Sequence, residues 1–381
     1  MKWVGTLLYK VYDWCAQHSP VSRLDRYIIF KFLGTYFFSI ALIISIAVVF
    51  DINENIDKFL SNNAPIKAII YDYYLNFIPY YSNLFSQLFV FISVIFFTTK
   101  LAENSEIIAM MSTGVSLRRL MRPYVISAAI ICMLTFVLGA YIIPKGNVKR
   151  VAFENRYRSN RVVTYTSNVQ MEVDTGVIAY ISSYDNTVKT GYGFTLDKFV
   201  NKKLVSHMQA TNIQYDTLSE EPYHWIVRDY QERNLKGMKE EIKSGSRIDT
   251  VLNMEPQDFL ISKGQQQTMI TPELKGYIDK QKQRGFANIK QFEVEYWQRG
   301  ASAFAAFILT IIGFSLSARK RKNGMGISLG IGLALSFAYI LFQTVSSTFA
   351  IGSNMPPALA AWMPNIVFVF IAMYCYKKAP R

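Results

Sequence analysis

The sequence contains few of the residue patterns on which common enzyme chemistries rely. It has only three histidines and three cysteines, and it lacks H-E-x-x-H, C-x-x-C and G-x-x-x-x-G-K-[ST]. These patterns hold zinc or bind nucleotide phosphates. We therefore predict no catalytic residue, no metal site and no cofactor, and we expect energy from ATP to be supplied by a partner protein.

The segment most suggestive of function is a hydrophilic loop at about 104–114. Asn104 or Ser105 can cap a short helix, Glu106 lies near the positive end of its dipole, and Gly114 can end it in the left-handed conformation. One apolar stripe follows, at Ile107, Met110 and Met111. Such a helix suits insertion into a groove of a partner protein. A helix lying on the membrane surface, with Glu106 only complementing the dipole, fits the sequence equally well.

The elements that position this loop are apolar stretches long enough to cross a bilayer. Uncharged stretches occur at Phe32–Phe50, Tyr73–Thr99, Pro123–Pro144 and Gly300–Ala318, and residues 323–376 contain neither charge nor histidine. A helix of about 20 apolar residues spans a membrane. Pro356-Pro357 must break the last stretch into spans near 325–348 and 358–376. We therefore predict an α-helical membrane protein with six transmembrane helices.

The basic residues indicate how these helices are oriented. Residues 144–299 carry a net charge of +4 out of the total of +14, so most of the excess lies beside the apolar stretches. This distribution is typical of membrane topology and argues against nucleic-acid binding. The positive-inside rule then predicts that both termini are cytoplasmic and that residues 145–299 are periplasmic. The basic residues that flank the apolar stretches on the predicted cytoplasmic side are Arg23, Arg26, Lys31, Lys100, Arg118, Arg119, Arg122, Arg319, Lys320, Arg321, Lys322, Lys377, Lys378 and Arg381.

The hydrophilic block between the third and fourth spans reads as a β domain. Segments rich in Val, Ile, Tyr and Thr alternate in polarity and are separated by turn residues such as Asp174-Thr175-Gly176. We predict an antiparallel sandwich or jelly roll with strands at Val169–Val173, Val177–Tyr184, Tyr192–Val200, Leu204–Tyr215, His224–Leu235 and Arg247–Leu252. Helical stalks are expected on both sides of it.

The predicted organisation has four parts. Residues 1–22 form an N-terminal segment, either an interfacial helix or a disordered tail. Residues 23–144 hold the first three spans and the loop helix, 145–285 hold the periplasmic jelly roll with its stalks, and 286–381 hold the last three spans and a short tail.

Several short motifs, taken in order, resemble the LptF/LptG family, the permease subunits of the ABC transporter that exports lipopolysaccharide. They are Leu24-Asp25-Arg26-Tyr27-Ile28, Ser105-Glu106-Ile107, Gly114-Val115, Ile143-Pro144-Lys145-Gly146, Pro356-Pro357 and Trp362-Met363-Pro364-Asn365. The resemblance implies that the loop is a coupling helix seated on a cytoplasmic ABC ATPase dimer. It also implies a second homologous permease subunit, periplasmic jelly-roll bridge proteins and lipopolysaccharide as partners, and Leu24–Ile28 leans toward the G-like paralogue.

Candidate lipid contacts lie near the outer ends of the first two spans. Lys58 is one of few basic residues there, beside Asp51, Glu54 and Asp57, an acidic departure from the family pattern. The second span is rich in aromatic side chains. They suit either a wall for acyl chains or an interfacial belt with packing, and we favour the belt. The candidates are Lys58, Tyr74, Phe77 and Tyr81.

Two alternative functions are compatible with the sequence. One is a permease of another ABC system, of the lipoprotein-releasing or mechanotransmission class, although those families usually place the outer domain after the first span. The other is a membrane-embedded enzyme acting on lipid or glycan, which would need polar catalytic groups clustered at one membrane face.

The topology can be tested by labelling single cysteines with an impermeant thiol reagent in intact spheroplasts. In a background without Cys15, Cys132 and Cys375, we expect cysteines at Thr187 or Ser353 to react, because both lie in predicted outer segments. Cysteines at Ser116 or Asn323 should stay unlabelled, and labelling of Asn323 from outside would contradict the count of six spans.

Overall fold

The computed structural model describes residues 22–158, 165–217, 223–237, 239–260, 264–283, 289–318, 324–353 and 355–379. The N-terminal segment 1–21, the basic loop 319–322 and Arg381 lie outside the described residues. The chain divides into a helical unit, drawn from 1–56, 74–143 and 294–381, and a β unit, drawn from 57–73 and 144–293.

The helices follow the apolar stretches. In chain order they are α1 (Arg23–Ser61), α2 (Leu75–Leu84), α3 (Ser86–Glu103), α4 (Glu106–Ser112), α5 (Leu117–Val137), α6 (Ile143–Phe153), α7 (Pro256–Phe259), α8 (Thr271–Gln283), α9 (Lys290–Ser317), α10 (Gly324–Gly352) and α11 (Pro357–Lys378). Shorter helical segments are Ile66–Ala68, the π-helical turns Ile69–Tyr74, Leu138–Ile142 and Glu154–Arg158, and the 3-10 turn Gln265–Gln267.

Within the described residues, six helical segments are long and apolar enough to cross a membrane, which confirms the predicted number. They are α1, α3, the continuous run Leu117–Arg158, α9, most of α10, and α11. The break before α11 follows from its prolines, since Pro356 is extended and Pro357 is the first helical residue.

The second apolar stretch differs from the prediction because Tyr73–Thr99 is not one helix. Helix α2 ends at Leu84, Phe85 has a non-helical ψ of 12°, and α3 begins at Ser86. Only α3 meets the length and hydropathy expected of a span. The stretch carries no charge, so the charge pattern gave no indication of the break, although the polar residues Asn83, Ser86 and Gln87 surround Phe85.

One tyrosine lies where four helices of the helical unit meet. Tyr124 of α5 is fully buried, and its hydroxyl accepts a hydrogen bond of 3.0 Å from Thr98 of α3. Its ring centroid lies 5.9 Å from that of Phe32 in α1 and 4.7 Å from that of Phe314 in α9. Tyr124 therefore joins α1, α3, α5 and α9 through one side chain.

A buried asparagine performs a similar role among the last three helices. Asn365 of α11 accepts a 2.8 Å hydrogen bond from the Tyr339 hydroxyl of α10 and donates one of 2.8 Å to the Ala301 carbonyl of α9. Hydrogen bonds of this kind stabilise the association of apolar helices in lipid, because the hydrophobic effect does not drive one helix against another there. They fix α9, α10 and α11 relative to one another.

The β unit contains one six-stranded antiparallel sheet, which confirms the inserted β domain. Its strands are β1 (Tyr165–Asp174), β2 (Val177–Asp185), β3 (Thr190–Val200), β4 (Lys203–Tyr215), β5 (His224–Lys236) and β6 (Lys239–Val251). One face buries alternating side chains, for example Ala179 and Ile181, or Phe194 and Leu196. Gly176 permits the turn after β1, because its φ is +75° and a Cβ there would lie 2.6 Å from the Phe199 carbonyl oxygen.

Two details of the sheet differ from the prediction. Neighbouring strands follow the sequence order from β1 to β6, so the described strands form an up-and-down sheet without the crossing connections of a Greek-key jelly roll. Strand β6 begins at Lys239 rather than Arg247, because the charged segment Lys239–Lys243 pairs with β5 even though its side chains are exposed. Alternation of apolar residues predicts a strand only where such residues occur, and this part of β6 has few.

The end of α1 belongs to the β unit and packs there on aromatic rings. The Phe59 ring lies edge-on to Tyr73 and Phe153, with centroids 5.6 and 5.4 Å away. Nearby, the buried Arg150 donates hydrogen bonds to Asn147, Glu154 and Gln267. The predicted jelly-roll part 145–285 thus shares its packing with residues 57–73.

The close approach of α10 to α3 generates a testable prediction about stability. A Cβ at Gly332 would lie 2.1 Å from Ile95 and 3.1 Å from Phe91, both buried in α3, whereas Gly330 has open space around it. Gly332→Val should lower stability by about 1–3 kcal/mol through overpacking. Gly330→Val is the matched control on the same helix, and thermal unfolding in detergent measures both. Equal melting temperatures for the two variants would contradict the close approach.

Candidate functional site

The predicted loop helix is present as α4, although its capping differs from the expectation. Ser105 precedes the helix with a left-handed φ of 61°, and its side chain makes no capping hydrogen bond. At the other end Gly114 has a φ of +88°, as predicted. Ser116 then caps α5 by accepting a hydrogen bond from the Arg119 backbone amide. The chain therefore turns sharply on both sides of α4 and presents it as a separate short helix.

Glu106 is held by its neighbours rather than projecting freely. Its Oε1 atom accepts a 3.2 Å hydrogen bond from the Asn104 side chain. Asn104 thus stabilises the start of α4 through Glu106 instead of acting as the predicted cap. Glu106 is half-buried.

The apolar stripe of α4 faces the core of its own chain. Ile107 is 1% exposed, and Met110 and Met111 pack partly buried against the same cluster as Tyr124 and Phe32. The opposite side of α4 is open, and Ile108 is 53% exposed there. Its exposed neighbours are Ala109, Ser112 and Thr113. We call Ile108, Ala109, Ser112 and Thr113 the open face of α4.

Three of the four candidate lipid contacts lie together. Tyr74, Phe77 and Tyr81 form a run of ring contacts, with centroids 5.9 Å apart for the first pair and 4.1 Å for the second. Phe77 is only 3% exposed. The Tyr74 hydroxyl donates a 3.1 Å hydrogen bond to Asp51. This carboxylate therefore joins α1 to Tyr74, the residue that precedes α2. Lys58 is exposed and belongs to the β unit.

An ion pair that sequence reasoning missed lies beside α4. Both terminal nitrogens of Arg119 donate to the Asp25 carboxylate, at 2.6 and 2.7 Å, and the Asp25 side chain is 1% exposed. The two residues are 94 positions apart, and in the sequence they stand out only as members of basic flanks or of the family motif. The sequence does offer one signal, because Asp25 is an acid inside a strongly basic flank. An acid that becomes buried there needs a basic partner.

Comparison with known proteins gives one positive result. The sequence model described as "Lipopolysaccharide export system permease LptF/LptG" matches residues 26–378. The chain belongs to the LptF/LptG family. No curated protein matches the chain.

Membership of the LptF/LptG family covers both units and nearly every described element. The match begins within the first turn of α1, includes α4 and the whole sheet, and ends at the last residue of α11. The family consists of lipopolysaccharide export permeases, which are transporters and not enzymes. Together with the six apolar helices, this identifies a multi-pass protein of the inner membrane.

The family also decides between the alternative functions at this level. A lipid- or glycan-modifying enzyme and a permease of another ABC class were both compatible with a helical protein carrying an inserted β domain. The LptF/LptG match supports the lipopolysaccharide permease over both. Among the described residues, no group of three or more His, Cys, Asp or Glu side chains could hold a metal ion.

Proposed function

We propose that this chain is one permease subunit of an ABC transporter that extracts lipopolysaccharide from the inner membrane and passes it to a periplasmic protein bridge. The observation that carries the proposal is α4, a short helix anchored on one side and open on the other, within a member of the LptF/LptG family. The proposed partners are a cytoplasmic ABC ATPase dimer, a second homologous permease subunit, jelly-roll bridge proteins and lipopolysaccharide.

The basic flanks support the orientation that this proposal needs. Lys100 lies in the last turn of α3, and Arg118, Arg119 and Arg122 lie in the first two turns of α5, so both helices that carry α4 have basic residues next to it. The positive-inside rule places such ends in the cytoplasm. The β unit, with its lower net charge, then lies in the periplasm, where a bridge protein is accessible.

The open face of α4 is the proposed ATPase contact. Ile107 fixes the helix to the core, so force applied to α4 is transmitted to the bundle rather than dissipated by a loose loop. An exposed Ile108 among small residues suits the centre of an apolar protein interface, where a few buried side chains carry most of the binding energy. Glu106, Ile107, Met110, Met111 and Gly114 then shape and hold this face.

The lipid is proposed to contact the aromatic run and the exposed side of α1. Tyr74 and Tyr81 are half-buried and can contact acyl chains directly, whereas the buried Phe77 holds them in place. Large apolar side chains along α1 are exposed, among them Phe38 and Phe50. Lys58, a residue of the β unit, is proposed to attract a phosphate group of the lipid.

The proposed contact predicts that a charge on the open face removes the ATPase. In Ile108→Asp, recovery of the ATPase with tagged permease should fall by about tenfold or more, because truncating or charging an interface centre commonly costs about 2 kcal/mol or more. Val188→Asp makes the same change at a residue 50% exposed in the β unit and is the control. Normal recovery with Ile108→Asp would place the contact elsewhere.

A second prediction concerns Glu106. Glu106→Ala should weaken ATPase recovery and lipopolysaccharide release, because it removes the hydrogen bond from Asn104 at the start of α4. Glu103→Ala, at an exposed position outside the helix, should have a smaller effect. Pull-down and transfer of lipopolysaccharide to a periplasmic acceptor measure both. Wild-type values for Glu106→Ala would leave Glu106 with a local role only.

A further inference from the structure

The backbone between α2 and α3 is interrupted inside an uncharged stretch. Phe85 has a φ of −95° and a ψ of 12°, and as the N-cap of α3 it provides no side chain that could accept from the first amides. Helix α2 also contains Pro79, whose missing amide removes one further helical hydrogen bond. The regular backbone hydrogen bonding of the second span is therefore weakest at Phe85 and in the helix before it.

The first turn of α3, directly after the break, is fixed to two other helices. The Ser86 and Tyr36 hydroxyls share a buried hydrogen bond of 2.8 Å, which joins α3 to α1. Gln87 donates a 3.4 Å hydrogen bond to the Ser302 carbonyl of α9. Below this turn, the close approach of Gly332 joins α3 to α10. Helix α3 is thus an integral part of the bundle from its first residue onward.

Helix α2, before the break, is packed much less closely. Of its ten residues only Phe77 is buried, whereas thirteen of the eighteen residues of α3 are buried. Its start is held by the hydrogen bond from Tyr74 to the Asp51 carboxylate. A bond of that kind typically contributes about 1.5–3 kcal/mol, which is small enough to be exchanged during a transport cycle. Segments with few buried side chains are the ones that move most readily, so α2 is the mobile partner across the break.

The end of α2 packs on a second irregular segment, the π turn Leu138–Ile142 of the third span. A Cβ at Gly139 would lie 3.1 Å from Asn83 Nδ2, so the missing side chain permits this approach. The Oδ1 atom of Asn83 is buried and accepts no hydrogen bond from the described residues. A buried polar atom without a partner costs about 1–3 kcal/mol. The observed position of α2 therefore competes with one in which α2 has turned and Asn83 finds a partner.

The break lies at the level where a lipid leaves the bilayer. With 18 residues, α3 is about 27 Å long, close to the hydrocarbon thickness of about 30 Å. In the proposed orientation its last residue, Glu103, is at the cytoplasmic surface, so Phe85 is near the outer surface. Helix α2 and the aromatic run of Tyr74, Phe77 and Tyr81 then lie at the level of the outer head-groups.

We propose that Phe85 is the pivot of a hinge at which α2 and the aromatic run turn relative to α3, leaving the position packed on Gly139. The inference rests on the proposed function, which supplies the lipid that the aromatic run contacts. It adds that the run is a movable wall, while α3 and the helices bonded to it stay in place. Hinges of this kind are short segments at the ends of regular elements, and π turns often occur at functional sites.

The first experiment fixes α2 on the π turn with a reversible disulfide. In permease without native cysteines, Asn83→Cys and Gly139→Cys place two thiols at an existing close contact. Oxidation should lower lipopolysaccharide release per ATP hydrolysed by about fivefold or more, because a wall that must move can no longer do so. Reduction of the same protein should restore release, which also shows that the variant is folded. Equal release in the oxidised and reduced forms would overturn the proposal.

A second disulfide, within the fixed part of the bundle, is the matched control. A Cβ at Gly313 of α9 would lie 3.2 Å from the Cβ of Val94 in α3. The pair Val94→Cys and Gly313→Cys therefore joins two helices that the proposal keeps in place, and its oxidation should leave release unchanged. A loss as large as that of the first pair would contradict the assignment of the movement to α2.

The last experiment tests the hinge without ATPase or transport. Spin labels replacing the exposed Leu75 and Phe96, in nanodiscs, report the distance between α2 and α3, and labels replacing Phe96 and Phe337 report that between α3 and α10. The first distance distribution should be clearly broader than the second, because α10 packs closely on α3 at Gly332. Two equally narrow distributions would overturn the hinge. A broad first distribution in a transporter that releases no lipopolysaccharide would instead contradict the proposed function and leave the hinge in place.

Discussion

The helical unit depends on the burial of a few polar side chains between apolar helices, above all the Tyr124 hydroxyl. Lipid is as apolar as the helices, so their association relies on close packing and on hydrogen bonds that have no competitor in the bilayer. Tyr124 supplies both, because its ring packs on Phe32 and Phe314 and its hydroxyl binds Thr98. Asn365 does the same for the last three helices.

The position of α4 follows from that arrangement. Ile107 packs into the cluster that surrounds Tyr124, and Leu120 of the next helix lies in it as well. The short helix is thus an extension of the core of the bundle, not an independent loop. The Asp25–Arg119 pair lies beside α4. The buried Asp25 carboxylate keeps its hydrogen bonds there, because each of its oxygens accepts one from the Arg119 guanidinium.

The sequence predicted those features that depend on local pattern. Span number follows from apolar length, the break at Pro356-Pro357 from missing amide donors, and strands such as β2 from alternation. Features that depend on distant residues were missed. The break at Phe85 lies in a stretch that carries no charge, and the Asp25–Arg119 pair joins residues with no shared pattern. The sheet order is likewise set by pairing, which alternation does not specify.

The loop helix shows why a stripe alone does not identify a binding surface. The periodicity predicts that Ile107, Met110 and Met111 share one side of α4, and in the structure all three pack against the same apolar cluster. It did not say whether the chain itself or another protein covers it. Because the helix has only seven residues, its apolar side is the means by which the chain holds it. The side available to the proposed ATPase is therefore the one whose single large apolar residue, Ile108, breaks the amphipathic pattern. In a short anchored helix, the exception to the periodicity is the better indicator of an external contact.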